Sequence, residues 1–201
     1  MTTIIFVRHG TSVNNEEGRW NSTLEKDRGL SEKGRKQAAL LAGRLASEKI
    51  EAIYSSPFPR ALQTAEAVNQ AHGLKIFVDE RLREMNKGVL DGLTKTEGRK
   101  KYWREYKQYL ADRVNYRIPE AETHAEVTAR TKQFIDDVTQ RHSGTVLAAT
   151  HEAVVQSAAA EVLNDDSYLT KTIPQATITR IKFSAKPALE SFADGSHLGS
   201  K

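Results

Sequence analysis

The sequence predicts an α/β protein in which a mostly parallel central sheet is flanked by helices as a three-layer sandwich. Short apolar runs alternate along the chain with longer segments whose apolar residues recur at helical spacing. Strands that are separated by helices favour a parallel sheet, because each helix crosses back over one face of the sheet. No internal repeat or linker divides the chain, so we expect a single domain over residues 1–201.

The first half of the chain supplies three of these strands. Residues 3–7 form an apolar run, and a polar loop over residues 11–29 separates this run from a helix that Ser31 caps. A second short strand is predicted at residues 52–55, where Ser56-Pro57 ends it. Two elements complete this half, a helix from about Pro59 to Ala71, which tolerates proline in its first turn, and a strand at residues 75–78.

The second half continues the alternation. Residues 94–114 are charged and aromatic and have helical propensity but only a thin apolar face. A long amphipathic helix is predicted around residues 127–138, and residues 145–149 are the clearest buried strand. A helix of small residues then extends to about Leu163, and the alternation over residues 176–183 predicts the last strand.

Basic side chains and histidines follow the predicted strands. Arg8-His9-Gly10 ends the first strand, Arg60 lies just beyond the second, and His151 ends the strand at 145–149. Ligands of open α/β sheets gather at the carboxyl ends of the strands, so these side chains are expected at one edge. An imidazole can attack phosphorus, a guanidinium can hold two phosphate oxygens, and a glycine allows close backbone approach. The pattern therefore predicts phosphoryl transfer.

Composition excludes several other classes of site. The chain has no cysteine, so disulfides and thiolate metal sites are excluded, and its net charge is +4. No segment is apolar enough to span a bilayer and no leader pattern opens the chain, so a cytoplasmic setting without a membrane partner is expected. Neither a compact acidic cluster nor a glycine-rich Walker loop occurs, which predicts activity without metal and without cofactor.

Several short motifs occur together along nearly the whole chain. They are Val7-Arg8-His9-Gly10-Thr11-Ser12, Leu30-Ser31-Glu32-Lys33-Gly34-Arg35-Lys36-Gln37-Ala38, Ser55-Ser56-Pro57-Phe58-Pro59-Arg60-Ala61-Leu62-Gln63-Thr64-Ala65, Leu82-Arg83-Glu84, Pro119-Glu120-Ala121-Glu122-Thr123 and Thr150-His151. In this order and spacing the chain resembles the histidine phosphatase superfamily, the phosphoglycerate mutase-like enzymes, and is closest to its broad-specificity phosphatase branch.

The resemblance implies a role for each motif residue. His9 would become a transient phosphohistidine, Glu84 would donate the proton to the leaving group, and Glu122 would lie near the pocket. A small helical cap would be inserted at about residues 86–121 and would select the substrate. The implied catalytic residues are His9, Glu84 and His151, and the implied phosphate-binding residues are Arg8, Asn15 and Arg60.

The chain also departs from the family pattern. His151-Glu152-Ala153 stands where many members have His-Gly, and Met85-Asn86-Lys87-Gly88 lacks the Arg-His-Tyr pattern of the mutases. These departures favour a metal-independent phosphatase that hydrolyses small phosphomonoesters over the alternative, a cofactor-dependent phosphoglycerate mutase. A third reading is a non-enzymatic module that binds nucleic acid or an acidic partner, and the intact set of catalytic residues speaks against it. We expect a small phosphorylated metabolite as partner and no nucleic acid; the oligomeric state stays open.

Two further groups of residues can be interpreted as solvent-exposed. The basic run over residues 99–104, with Lys87, Lys95 and Lys107, is either a solvated helix face or part of a cap that attracts anionic substrates. The remaining histidines fit loops or helix surfaces and are expected to be solvated; they are His72, His124, His142 and His197.

Overall fold

The computed structural model describes residues 1–199 and is built on one sheet. The six strands are β1 (Thr2–Arg8), β2 (Ile50–Ser55), β3 (Ile76–Val78), β4 (Thr145–Thr150), β5 (Ile178–Phe183) and β6 (Ala188–Asp194). Their order across the sheet is β3-β2-β4-β1-β5-β6. The strands β1 to β4 pair in parallel, whereas β5 is antiparallel to β1 and β6 is antiparallel to β5. The mostly parallel sheet confirms the predicted class.

Helices cover both faces of this sheet. They are α1 (Val13–Glu16), α2 (Glu32–Leu45), α3 (Pro59–Asn69), α4 (Lys95–Lys101), α5 (Trp103–Ala111), α6 (His124–Arg141) and α7 (Glu152–Leu163). The apolar residues of α2 and α3 form one core cluster with the sheet, and those of α6 and α7 form another. These two clusters make the three layers that the sequence predicts. Within residues 1–199, no helix combines the length and the apolar character that crossing a bilayer requires.

The central strand β1 shows why its sequence is a continuous apolar run. Successive side chains of a strand point to opposite faces, and a strand covered on both faces needs apolar residues at every position. Ile4 and Phe6 belong to the cluster under α6 and α7, whereas Ile5 and Val7 belong to the cluster under α2 and α3. All four are fully buried, and His9, which follows the carboxyl end of β1, is buried as well.

The loop that leaves β1 is pressed closely against the start of α2. Ser31 caps this helix as predicted, because its hydroxyl accepts a hydrogen bond from the Gly34 amide at 3.2 Å. A Cβ atom on Gly34 would lie 1.9 Å from the Thr11 carbonyl oxygen, and one on Gly10 would lie 2.6 Å from the Gly34 oxygen. Both glycines are therefore required by backbone packing, which fixes the path of the chain just after His9.

Three elements differ from the predictions. The strand at 178–183 is not the last one, because β6 follows it as a half-exposed edge strand whose alternation is weak. The polar loop over 11–29 contains the short helix α1. Ser12 and Asn15 cap its N-terminus through a reciprocal capping box. The helical stretch at 94–114 is broken at Tyr102 into α4 and α5.

Residues 86–121 lie between the sheet elements and α6 and carry α4 and α5. This segment has a small apolar cluster of its own, formed by Leu90, Ile118 and Ala121 with aromatic side chains packed around it. Trp20 from the loop after β1 joins the cluster, and its ring lies 6.0 Å from that of Tyr106 between centroids. The segment is thereby attached to the same edge of the sheet at which β1 and β4 end.

Candidate active site

Two histidines meet at the carboxyl edge of the sheet. His9 follows β1 and His151 follows β4, and these two strands are neighbours that pair Arg8 with Thr150. The His9 amide donates to the Thr150 carbonyl at 3.0 Å, which continues the ladder by one residue. The two rings lie 5.0 Å apart between centroids, and both side chains are buried. Strand register thus brings together two residues that are far apart in sequence.

Arg60 connects the two rings from the first turn of α3. Its Nε donates to Nε2 of His9 at 3.0 Å, and its Nη2 contacts Nδ1 of His151 at 3.1 Å. The guanidinium lies over the ring of Phe58, with its Cζ atom 4.7 Å from the ring centroid. One buried cation therefore contacts both imidazoles through separate nitrogens.

The hydrogen bonds of His9 define which of its nitrogens is free to react. Nδ1 lies 2.7 Å from the Gly10 carbonyl oxygen, which can only accept, so the proton is on Nδ1. Nε2 then carries the lone pair that Arg60 contacts. Burial, followed by the charges of Arg60 and Arg8, holds the pKa of His9 well below its ordinary value. The ring is neutral at physiological pH, which is the state that nucleophilic attack requires.

Hydrogen bonds at both nitrogens also fix the orientation of the His151 ring. Its Nε2 lies 2.8 Å from the Ser56 hydroxyl, and its Nδ1 accepts the hydrogen bond from Arg60. Burial and then the Arg60 charge lower the pKa of His151 well below its ordinary value. Ser56 follows β2, so the carboxyl ends of three adjacent strands contribute to the position of this ring.

The loop after β1 holds Arg60 through two residues that sequence reasoning missed. Asp27 accepts from Nη1 at 2.6 Å, and Asn21 accepts from Nη1 and Nη2 at 3.0 Å each, through its side chain and its carbonyl oxygen. The Asp27 side chain is 0 % exposed and that of Arg60 is 3 % exposed. Burial lowers the pKa of Arg60, and Asp27 opposes that effect. Asp27 is thus a positioning residue for the cation.

Replacing Asp27 by Asn is expected to lower the free energy of unfolding by about 3 to 5 kcal/mol, because the buried Arg60 charge loses its counter-ion. Added inorganic phosphate should restore part of the lost Tm, since an anion in the pocket compensates the same cation. Thermal unfolding with and without phosphate measures both effects. The matched control is Glu32→Gln, which removes an exposed pair with Lys36 and should leave Tm nearly unchanged. Equal Tm values for the two variants would contradict this role of Asp27.

Arg8 approaches the site from the end of β1. Its Nη1 contacts the Glu152 carboxylate at 3.3 Å and also donates to the Ile173 carbonyl. Glu152 in turn accepts from the Ile173 amide at 3.0 Å. The carboxylate that departs from the family pattern therefore orients Arg8 and lines the same cavity.

Two buried donors in this site have no partner among the described residues. They are Nε of Arg8 and Nδ2 of Asn21. An unsatisfied buried donor costs about 1 to 3 kcal/mol, so such groups are retained where a ligand satisfies them. Both residues line the same cavity, and both offer N–H groups, which an anion accepts.

Glu84 lies beside the histidines, as the resemblance implies. One carboxylate oxygen accepts from the Met85 amide at 2.8 Å, and the other lies 3.8 Å from Nδ1 of His151. Its side chain is 15 % exposed, so it is partly buried yet reachable from the cavity. Asn15 also lines the cavity while its Oδ1 accepts from the Ser12 amide at 3.1 Å.

Glu122 does not line the cavity. It accepts hydrogen bonds from Arg83 at 2.7 Å, from Arg130 at 3.0 Å and from the Asn86 amide at 2.9 Å. These contacts tie the segment that follows Glu84 to the start of α6. Glu122 therefore stabilises the backbone beside the site without contacting the cavity.

The cavity above these residues has a volume of about 290 Å³. Its lining is strongly cationic: six lining residues are basic, namely Arg8, Arg19, Arg60, Lys87, Lys95 and Arg113, and two are acidic, namely Glu84 and Glu152. Of the basic patch noted in the sequence, Lys87 and Lys95 line the cavity, whereas the run at 99–104 does not. His124, expected to be solvated, is only 5 % exposed and lines the cavity. That expectation was wrong, because the first residue of α6 lies in the wall of this cavity and not in solvent.

Among residues 1–199, three metal-capable side chains have ligand atoms within 4.8 Å of one another: His9, Glu84 and His151. The Nε2 lone pair of His9 and the Nδ1 lone pair of His151 both face the guanidinium of Arg60. A divalent cation between these nitrogens would be adjacent to a fixed positive charge, which opposes its binding. The donor set therefore fits an anion better than a metal ion.

A neutral imidazole at the carboxyl edge of a mostly parallel sheet, beside a buried arginine, a partly buried arginine and a carboxylate, indicates a phosphatase-type enzyme. A family model described as the histidine phosphatase superfamily (branch 1) matches residues 4–194. The chain belongs to this superfamily.

Individual proteins show the same relationship. The chain is similar to phosphoserine phosphatase 1 of Hydrogenobacter thermophilus, with 32 % identity over 83 % of this chain and 78 % of that protein. It is 30 % identical to the "Probable phosphoglycerate mutase GpmB" of Yersinia pestis over 98 % of this chain and 95 % of that one. The solved structure of Bacillus stearothermophilus YhfR is similar with a TM-score of 0.92 at 29 % identity, covering 99 % of this chain and 100 % of that chain.

Proposed function

We propose that this protein is a metal-independent phosphatase that hydrolyses small phosphomonoesters through a phosphohistidine on His9. The observation that carries the proposal is the state of that ring. Its Nδ1 proton is held by the Gly10 carbonyl, and its unprotonated Nε2 lies 3.0 Å from a buried guanidinium at the base of a cationic cavity. An anion that binds Arg60 is thereby placed within reach of the nucleophilic nitrogen.

In the first step, Nε2 of His9 attacks phosphorus and the bond to the ester oxygen breaks. The departing alkoxide takes a proton from Glu84, so an alcohol leaves and the phosphoryl group stays on the ring. The hydrogen bond between Arg60 and Nε2 must give way when this bond forms, and the guanidinium then donates to the phosphoryl oxygens instead. His9 keeps its proton on Nδ1 throughout, since the Gly10 carbonyl oxygen accepts a hydrogen bond from that N–H group.

In the second step, water attacks the phosphohistidine and inorganic phosphate leaves. Glu84, which is now a carboxylate, accepts a proton from the water and so returns to its starting state. His9 recovers its Nε2 lone pair. Splitting the reaction into two displacements predicts ping-pong behaviour and a covalent intermediate.

Fixed positive charges replace a metal ion in this scheme. Phosphoryl transfer depends mainly on positioning and on neutralisation of charge, and prearranged donors supply both. Arg8 and Arg60 bring the cations, Nδ2 of Asn21 adds a buried donor, and Asn15 faces the cavity. His151 completes the ring of donors once the bound phosphate favours its protonated form.

The size and charge of the cavity favour a small, strongly anionic metabolite. A volume of about 290 Å³ lies at the low end for ligand pockets, which suits a metabolite better than a phosphoprotein. We infer that residues 86–121 act as a cap that selects this metabolite, because Lys87, Lys95 and Tyr106 line the cavity from that segment. The phosphoserine phosphatase similarity points to the same class of substrate.

Phosphate release from a panel of phosphomonoesters, measured with and without EDTA, tests the proposal. We expect hydrolysis of small esters with the same rate after chelation. Loss of activity in EDTA that Mg²⁺ restores would contradict the metal-independent site.

The mutase similarity provides the second candidate, and one reaction separates the two. Incubation with 3-phosphoglycerate and a bisphosphoglycerate primer should yield inorganic phosphate. Formation of 2-phosphoglycerate in its place would identify a phosphoglycerate mutase.

A further inference from the structure

The backbone of His9 is held by the turn that precedes β5. The Ala176 amide donates to the Arg8 carbonyl at 3.0 Å and to the His9 carbonyl at 3.1 Å. The Arg8 amide donates to the Thr177 carbonyl at 3.2 Å. These bonds continue the antiparallel pairing of β1 with β5 beyond the carboxyl end of β1. The position of His9 therefore depends on the conformation of Ala176.

Ala176 has a backbone conformation that alanine seldom adopts. Its φ angle is 58°, in the left-handed region that favours glycine, because a Cβ atom there crowds the backbone carbonyl. The residue is fully buried. A residue other than glycine keeps such a conformation only where the surrounding contacts hold it. We therefore searched for the contacts that hold the Ala176 peptide.

His197 supplies one of these contacts. It lies in a 3₁₀ turn (Ser196–Leu198) that follows β6, and its Nε2 lies 2.9 Å from the Ala176 carbonyl oxygen. A carbonyl oxygen only accepts, so the Nε2–H group of His197 donates to it. The ring is half-buried, and the expectation that His197 is solvated was wrong. Burial holds the pKa of His197 below its ordinary value, so the ring is neutral at physiological pH.

The other nitrogen of the His197 ring gains no hydrogen bond from this position. Nδ1 is closed off from solvent and has no partner within residues 1–199. In a neutral ring whose proton is on Nε2, Nδ1 is an acceptor, and a buried acceptor without a donor is destabilising. The contact with Ala176 is thus the hydrogen bond that accounts for a histidine at this place.

We propose that His197 is a positioning residue for the nucleophile: it holds the Ala176 peptide in the left-handed conformation, and Ala176 in turn holds the backbone of His9. This inference rests on the proposed phosphatase function. His197 does not line the cavity, so it acts through Ala176 and not on the substrate. In-line attack tolerates little displacement of the attacking nitrogen, and the rate of phosphorylation is therefore the quantity that should respond.

Replacing His197 by Phe keeps an aromatic ring and removes the donor. Burst kinetics with saturating p-nitrophenyl phosphate should show phosphorylation of His9 slowed about 10-fold. Binding of inorganic phosphate, measured by calorimetry, should change by less than about twofold, because the contacts that hold Arg60 come from another loop. A general loss of structure would weaken binding and rate together, which would contradict the positioning role.

Two amide variants separate the hydrogen bond from the ring. His197→Gln can place an N–H group where Nε2 lies and should keep most of the wild-type burst rate. His197→Asn has a shorter amide that does not reach the Ala176 carbonyl, so it should be slowed like His197→Phe, and it replaces that variant if the phenylalanine protein does not fold. Equal rates for the Gln and Asn variants would overturn the role of the hydrogen bond.

A second substitution should suppress the defect. Glycine adopts positive φ without strain, so Ala176→Gly added to His197→Phe should restore the burst rate to within about twofold of the wild type. The matched control is Ala193→Gly, because Ala193 also has a positive φ, 51°, but lies in β6 and donates its amide to the Thr179 hydroxyl. Equal recovery in the two double variants would indicate a gain in general stability and would contradict the inference.

The NMR signal of His9 distinguishes failure of this inference from failure of the phosphatase. In protein labelled with ¹⁵N-histidine, His197→Phe should shift the backbone amide signal of His9 and leave that of His72 unchanged. If the wild type hydrolysed no phosphomonoester but this shift occurred, only the proposed reaction would be wrong. An unchanged His9 signal would overturn the positioning role whatever the activity.

Discussion

Replacing His9 by Ala is expected to reduce phosphate release about ten-thousand-fold or more and to abolish the phosphoenzyme. The expectation follows from the chemistry of the His9 ring. Among the side chains of the site, only His9 and His151 have an unprotonated nitrogen in contact with Arg60. In His151, Nε2 forms a hydrogen bond with the Ser56 hydroxyl and Nδ1 lies beside Glu84. This ring is therefore placed to stabilise the charge of the phosphoryl group. Its lone pair does not substitute for that of His9.

Rapid quenching with radiolabelled phosphomonoester measures both quantities in one experiment. The wild type should give a burst of protein-bound phosphate followed by steady turnover, whereas His9→Ala should give neither. His142→Gln is the matched control, because this histidine precedes β4 at the opposite edge of the sheet and hydrogen-bonds Tyr54. A His9→Ala protein that still acquires label would assign the nucleophile to another residue.

The sequence predicted the part of this site that depends on strand ends. His9 and His151 each follow a strongly apolar run, and neighbouring parallel strands place whatever follows them at the same edge. Arg60 was predicted for the same reason, since Ser56-Pro57 marks the end of β2 and α3 begins directly after it. The positions of these three residues could be inferred because apolar periodicity shows where strands end.

The residues that sequence reasoning missed depend on contacts between distant segments. Asn21 and Asp27 lie in a polar loop without periodicity, where an acidic residue looks solvated until the loop folds over Arg60. His124 begins α6 in a mostly polar stretch of sequence, and its burial beside the cavity is a property of the folded chain alone. The strand β6 is a half-exposed edge strand, so its residues need not alternate strictly between apolar and polar.

Glu84 provides the second large effect. Glu84→Gln is expected to lower kcat for alkyl phosphates about 10²- to 10⁴-fold, because the departing alkoxide loses its proton donor. An ester with a good leaving group, such as p-nitrophenyl phosphate, needs no such donor and should still phosphorylate His9. The carboxylate also serves as base for water in the second step, so phosphohistidine should accumulate with that substrate.

The two halves of the reaction can therefore be separated in one variant. Burst kinetics with p-nitrophenyl phosphate should show one equivalent of nitrophenol released quickly, followed by slow turnover and a long-lived labelled protein. Glu80→Gln offers a matched control, since this glutamate lies four residues away in the same segment and does not line the cavity. If Glu84→Gln slowed the burst as strongly for nitrophenyl as for alkyl esters, the role of the carboxylate would be to maintain the structure of the site. Selective loss with alkyl esters instead assigns it to proton transfer, because only that role depends on the leaving group.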